Sequence, residues 1–184
     1  MTKHRSLADL KVGLPDIEAS PADHGVLRGI VIRPKSGERQ ELDSAEISLA
    51  GGVHGDNWAF GCWKSTDDGK PHPDVQICIM NARCIALIAG SRDNWAPAGD
   101  NLFMDLDLTR ENLPVGQRLS IGSAIVEVTA EPHTGCANFV ARYGRDATVF
   151  VNTGDGRRLR LRGIYARVVK DGRVAVGDAV VKVA

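Results

Sequence analysis

A surplus of charge of either sign is missing from this chain: 23 basic residues stand against 23 acidic ones over 184 positions. Balanced charge gives no electrostatic footprint for a nucleic acid or an acidic polymer, so no nucleic-acid partner is expected. Aromatic residues are scarce, at 5%. Valine, isoleucine and leucine carry most of the apolar content instead, which suits a β-rich core. No apolar run approaches the ~18 residues that a membrane span requires. The opening segment Met1 to Leu14 mixes both charges and lacks an apolar h-region, so neither a membrane nor a secretory route is expected. The four cysteines, Cys62, Cys78, Cys84 and Cys136, show no C-x-x-C or zinc-ribbon spacing. Reduced thiols in a cytoplasmic protein are the expectation.

The length fits one domain that buries its own core. Residues 1–24 read as a polar N-terminal extension holding Pro15 and Pro21 and no sustained periodicity, and residues 25–184 as the domain. Val26 to Arg33 reads as the first strand, stopped by Pro34, and Glu41 to Leu49 as the second. Gly51 to Asp74 has no periodicity, and loops of that length are commonly functional. Val75 to Met80 and Asn101 to Leu108 read as strands, with Asn81 capping a helix that runs to Gly90. The stretch Leu119 to Val128 resembles Val174 to Val183: each is strand, Gly turn, strand. Two such hairpins suit one barrel, where closure removes sheet edges. Arg158-Leu159-Arg160-Leu161-Arg162 alternates, which in a strand sets three arginines on one face. The fold class expected is mainly β, a closed or partly closed barrel with a few short helices.

Cys136 is the residue richest in chemical meaning. It follows the strand-like run Ile121 to Thr129 and precedes a short helix-like segment, Ala137 to Tyr143. Backbone N–H groups at a helix start favour a thiolate, the form that binds soft metals or accepts sulfur. A buried structural cysteine is the competing reading. His133 lies three residues earlier, close enough in sequence for a Cys–His nucleophilic pair. Gly52-Val53-His54-Gly55-Asp56 and Gly99-Asp100-Asn101-Leu102 read either as turns or as places where backbone and polar side chains approach a ligand. From Arg142 to Lys170 eight basic residues meet only Asp146 and Asp155. Arginine binds phosphate oxygens bidentately, so Arg158, Arg160 and Arg162 read as phosphate holders or as a solvated face.

In order, Gly52-Val53-x-Gly55-Asp56, Gly99-Asp100-Asn101-Leu102, Leu113-Pro114-Val115-Gly116 with Leu119 and Ile121-Gly122, then Pro132-His133-Thr134-Gly135-Cys136, resemble the landmarks of a MOSC domain, the C-terminal domain of molybdenum-cofactor sulfurases. Gly163 to Val168 and Gly172 through Gly177-Asp178 match its closing pattern. The resemblance covers about residues 26–184 and implies a β-barrel similar to that of pyruvate kinase. It implies a molybdopterin-type molybdenum cofactor with Cys136 as metal ligand, and His54, Gly55, Asp56, Asp100, Asn101, Arg158, Arg160 and Arg162 as cofactor-binding residues. His133 stands where the family often has arginine. The activity implied is reduction of small N-hydroxylated compounds; the alternative is a persulfide carrier on Cys136 without turnover of its own. A Cys136–His133 hydrolase is a third reading. A cysteine desulfurase or an electron-transfer protein is the implied partner. Pyridoxal-phosphate binding belongs to the sulfurases of the family, and no pyridoxal-phosphate sulfurase domain is read in this sequence.

Overall fold

Segments in which apolar and other residues alternate turn one face inward, and here they close into a ring. The computed structural model describes residues 4–184. The strands are β1 (Gly25–Ile32), β2 (Gln40–Leu42), β3 (Ser44–Ser48), β4 (Gly52–Val53), β5 (Ile77–Asn81), β6 (Leu102–Asp105), β7 (Arg118–Ile121), β8 (Ala124–Val128), β9 (Ile164–Lys170), β10 (Gly172–Ala175) and β11 (Ala179–Val183). Seven of them form a closed mixed barrel in the order β1, β6, β5, β9, β8, β7, β11 and back to β1. Only the β5–β6 pairing is parallel. β2 hangs on the far end of β1, and β10, β3 and β4 make a second small sheet. The expectation of a mainly β, closed barrel with short helices holds.

The helices are α1 (Leu7–Val12), α2 (Leu14–Glu18), α3 (Trp58–Gly61), α4 (Ala82–Ala89), α5 (Ala137–Asn152) and α6 (Asp155–Arg158). Two apolar layers follow from strand alternation. Ile77, Ile79, Leu102 and Met104 point into the barrel, where they meet Leu27, Ile30, Val126 and Ala166. Met80 and Phe103, one residue out of phase, point outward against Leu10, Ile85, Phe139 and Phe150 of the helices. Asn81 caps α4 by accepting from the Cys84 N–H at 2.9 Å, and its Nδ2 donates to Ser20 and Leu106. Among the described residues no helix is long and apolar enough to cross a membrane.

Four local expectations need correction. From residue 7 the N-terminal segment is helical, because Leu7, Leu10, Leu14 and Ile17 recur at helical spacing and pack on the outer layer. Its residues 1–3 lie outside the described residues. Glu41 to Leu49 is two strands, because β2 pairs with β1 whereas β3 pairs with β10 and β4. Val174 to Val183 is no paired hairpin: β10 joins the small sheet, and β11 joins the barrel. Arg158 to Arg162 is no strand. α6 ends at Arg158, and Arg160 takes the left-handed backbone conformation, φ +51°. Leu159 and Leu161 are buried as alternation requires, but a turn buries them instead of a sheet. The segment after Cys136 is helical from Ala137 to Tyr143, as expected; Gly144 (φ 87°, ψ 170°) then breaks α5, which continues to Asn152, and a Cβ at Gly144 would come within 2.7 Å of the His4 ring.

Candidate functional site

Arg33 follows β1 and meets the turn after β4, which Gly55 permits by its φ of +87°. There Asp56, 1% exposed at its side chain, accepts from Arg33 Nε at 2.9 Å and Nη2 at 2.7 Å, a fork-to-fork contact. Asp56 also accepts from the backbone N–H groups of Arg33 and Trp58. Asn101 locks the assembly: its Oδ1 accepts from Arg33 Nη2 and the Cys78 N–H, and its Nδ2 donates to Val31 O and Asp56. Next to it Asp100, fully buried, accepts from Arg162 Nη1 at 2.9 and 2.8 Å. Burial pushes the Asp100 carboxyl upward, and the Arg162 charge opposes that shift. Two guanidinium groups are thus fixed by carboxylates from two landmark turns.

These arginines open onto a cavity of about 490 Å³. Arg39, Arg142, Cys62, Cys78, His133 and Cys136 line it as well. Four arginines therefore face one space, and carboxylates hold only Arg33 and Arg162. Burial, then the like charges of Arg142 and Arg33, lower the Arg39 pKa. Such a space favours anions. Burial keeps the Cys78 thiol raised despite Arg33 beside it. Cys136 differs: it is exposed, it is the N-cap residue of α5, and its side chain makes no capping hydrogen bond. The loop before it is clamped by Asn152, whose Oδ1 accepts from the Gly135 N–H at 2.9 Å, and by the Lys64–Glu131 ion pair.

His133 is 6% exposed at its side chain and lies against the Tyr165 ring at 4.4 Å. Burial, then the charges of Arg162 and Arg33, hold its pKa well below 6.5, so the imidazole is neutral. Its Nδ1 sits 3.6 Å from Asp100 Oδ1 and has no hydrogen-bond partner. Among the described residues no hydrogen bond joins His133 to Cys136.

Of the residues singled out from sequence, Cys136, His133 and Arg162 line the cavity. Asp56, Asn101 and Asp100 stand behind its wall and hold the arginines. His54 and Gly55 are exposed and do not line it. Arg158 is at the surface with Glu18 and Asp155, at 2.7 and 3.1 Å. Arg160 lines a separate cavity. Arg33 and Arg39 are the site residues that sequence reasoning missed, and Arg142 was visible only as one of eight basic residues between Arg142 and Lys170. Arg33 carried one local signal, a basic residue between a strand end and Pro34.

The pattern of the MOSC domain matches residues 52–181. This chain belongs to the MOSC domain family. The fold of this MOSC protein is similar to that of the YuaD protein of Bacillus subtilis, at 20% identity and TM-score 0.58, covering 85% of this chain and 93% of that one. It is also similar to YiiM of Escherichia coli, at 19% identity and TM-score 0.54, covering 86% of this chain and 70% of that one. YiiM of Geobacillus stearothermophilus follows at 16% identity and TM-score 0.52, covering 88% and 74%. At these identities the likeness shows the fold. No curated protein matches by sequence. MOSC membership carries an association with the molybdenum cofactor. The donor set suits such a group: one exposed soft thiol, two arginines without a carboxylate, and a buried Arg39 Nε without a partner. Among the described residues no cluster of three His, Cys, Asp or Glu side chains could hold a metal ion.

Proposed function

We propose that this MOSC protein binds a phosphate-bearing molybdenum–pterin cofactor in the Cys136 cavity and reduces small N-hydroxylated compounds. The observation that carries the reading is a cavity with an unencumbered thiol and four arginines, of which Arg39 and Arg142 lack a carboxylate. Arg39 and Arg142 would hold the phosphate, with Arg33 and Arg162 as fixed positive walls. Cys136 would ligate molybdenum, which suits thiolate sulfur. When bound, the cofactor supplies two-electron redox chemistry. The overall reaction breaks the N–O bond of the hydroxylated nitrogen and leaves the amine-type nitrogen and water. It consumes two electrons and two protons, the electrons coming from an electron-transfer protein. Neutral His133 makes the pocket wall less repulsive to the cationic amidine or amine products than arginine there would.

The test compares protein from cells able and unable to make the cofactor, with molybdenum and pterin measured on the purified chain. Both should be present only in the first. Arg39→Ala/Arg142→Ala should weaken pterin retention by about tenfold or more, as expected for two charge-assisted contacts. Cys136→Ala should keep pterin and change the X-ray absorption signature of the metal. Absence of molybdenum and pterin from the wild-type protein, before and after reconstitution, would overturn the reading.

A persulfide carrier is the second reading. It is favoured by the exposure of Cys136 and by its uncapped side chain. Exposure to a cysteine desulfurase should then add one sulfur atom by mass spectrometry, and Cys136→Ala should abolish the gain.

A further inference from the structure

Pro132, His133 and Thr134 form a strip with a cavity on each side. One is the Cys136 cavity; the other measures about 360 Å³ and does not include Cys136. Arg110, Arg157, Arg160 and Arg162 line the second cavity. Its one acidic lining residue, Glu131, is ion-paired with Lys64. Among the described residues Arg110, Arg157 and Arg160 form no ion pair. Asp107 and Glu111 act on Arg160 only from beyond contact distance.

Arg160 is aimed by an unusual backbone. Its φ of +51° is left-handed, a conformation that non-glycine residues rarely adopt. Its Nη1 donates to Leu108 O at 3.3 Å and Leu113 O at 3.0 Å, which anchors one edge of the guanidinium. Burial, then the like charge of Arg110, lowers its pKa to about 10. A second observation is independent of these charges. His133 Nδ1 and Arg162 Nε, in the wall shared by the two cavities, are buried and unpartnered, with side chains 6% and 8% exposed. Buried polar atoms ordinarily find partners, and orphaned ones mark a missing ligand or water. Three unpaired arginines around one hollow repel one another until an anion enters.

We propose that the second cavity is an anion site for a small ligand bearing a phosphate or carboxylate group, distinct from the Cys136 cavity and separated from it by the His133 strip. Arg157 and Arg110 at its mouth attract the anion, and Arg160 meets it at the wall. The site stands whether or not a molybdenum cofactor binds next door.

The experiment titrates inorganic phosphate, and separately acetate, into protein made without the cofactor, at constant ionic strength, following backbone amides by NMR. Phosphate or acetate should give saturable shifts at Val151, Gly156 and Arg157, which line the second cavity and not the Cys136 cavity, and the tighter of the two identifies the group preferred. Arg110→Ala/Arg157→Ala should raise Kd by about tenfold or more, and Arg39→Ala/Arg142→Ala should leave these shifts in place. Arg157→Gln alone, at an exposed position, should weaken binding in the same direction and serves if the double variant fails to fold. Unsaturable shifts with both anions, an unchanged Kd in the Arg110/Arg157 variants, or loss of the Gly156 response in the Arg39/Arg142 variant would overturn the proposal.

Discussion

Replacing Asp100 by alanine should be among the most damaging single changes in the protein. Asp100 is fully buried, and it accepts both short contacts, 2.9 and 2.8 Å, from Arg162 Nη1. Without it Arg162, 8% exposed, keeps only the Ala98 carbonyl at 3.3 Å and the Phe139 ring at 4.9 Å. A buried charge stripped of its partner costs about 3–5 kcal/mol. Domains are stable by only about 5–15 kcal/mol, so about a fifth or more of the total is at stake. With a urea slope of about 2 kcal/mol per molar, the midpoint should fall by roughly 2 M. Asp100→Asn should fall in between, because its amide oxygen still accepts. Asp100→Leu/Arg162→Met removes both charges together and should recover most of the loss. Urea melts followed by circular dichroism and tryptophan fluorescence measure all three. A loss under about 1 kcal/mol for Asp100→Ala at unchanged slope, or a double variant as weak as the single one, refutes the reasoning.

Acid should weaken the fold through His133. The unfolded chain protonates this imidazole near 6.5, but burial, then Arg162 and Arg33, hold the folded pKa well below that value. The unfolded state therefore binds the extra proton, and stability falls as pH drops below the unfolded value. Between pH 7.5 and 5.5 the loss through this residue should be about 1.4 kcal/mol. His133→Asn should remove that share, and identical pH slopes for wild type and variant in urea melts would sink the assignment. Gly163→Ala should cost about 2–5 kcal/mol. The residue has φ +120°, and an added Cβ would sit 2.2 Å from the Ile79 carbonyl oxygen. An unaltered melting temperature would disprove the close approach.

The sequence made local features legible and left long-range ones hidden. The helix from Asn81 to Gly90 was readable because its cap bonds Cys84 three residues on. The split of Glu41 to Leu49 was not, since it depends on β2 and β3 choosing different partners. The alternation of Arg158 to Arg162 misled because buried Leu159 and Leu161 satisfy a period of two in a turn as well as in a strand. At the site, Asp56, Asp100 and Asn101 were visible as landmarks, but their task was not. They hold arginines 23, 62 and 68 positions away in the chain, pairings that one sequence does not display. Arg39 looked like ordinary surface charge and Arg142 like one member of a basic run, and only folding brings both within 4 Å of a Cβ built on Gly99.

Gly144 interrupts α5 just after the portion that begins behind Cys136 and carries Arg142. Ala147, Phe150 and Val151 moor the portion beyond it in the outer layer, while Phe139 and Tyr143 seat the portion before it. Tyr143 and Arg142 are also tied to the Asn94 and Pro97 carbonyls, so this leading piece is held from two sides. Sulfur and guanidinium share one short helical segment, and the spacing between them is set there and not by the rest of α5.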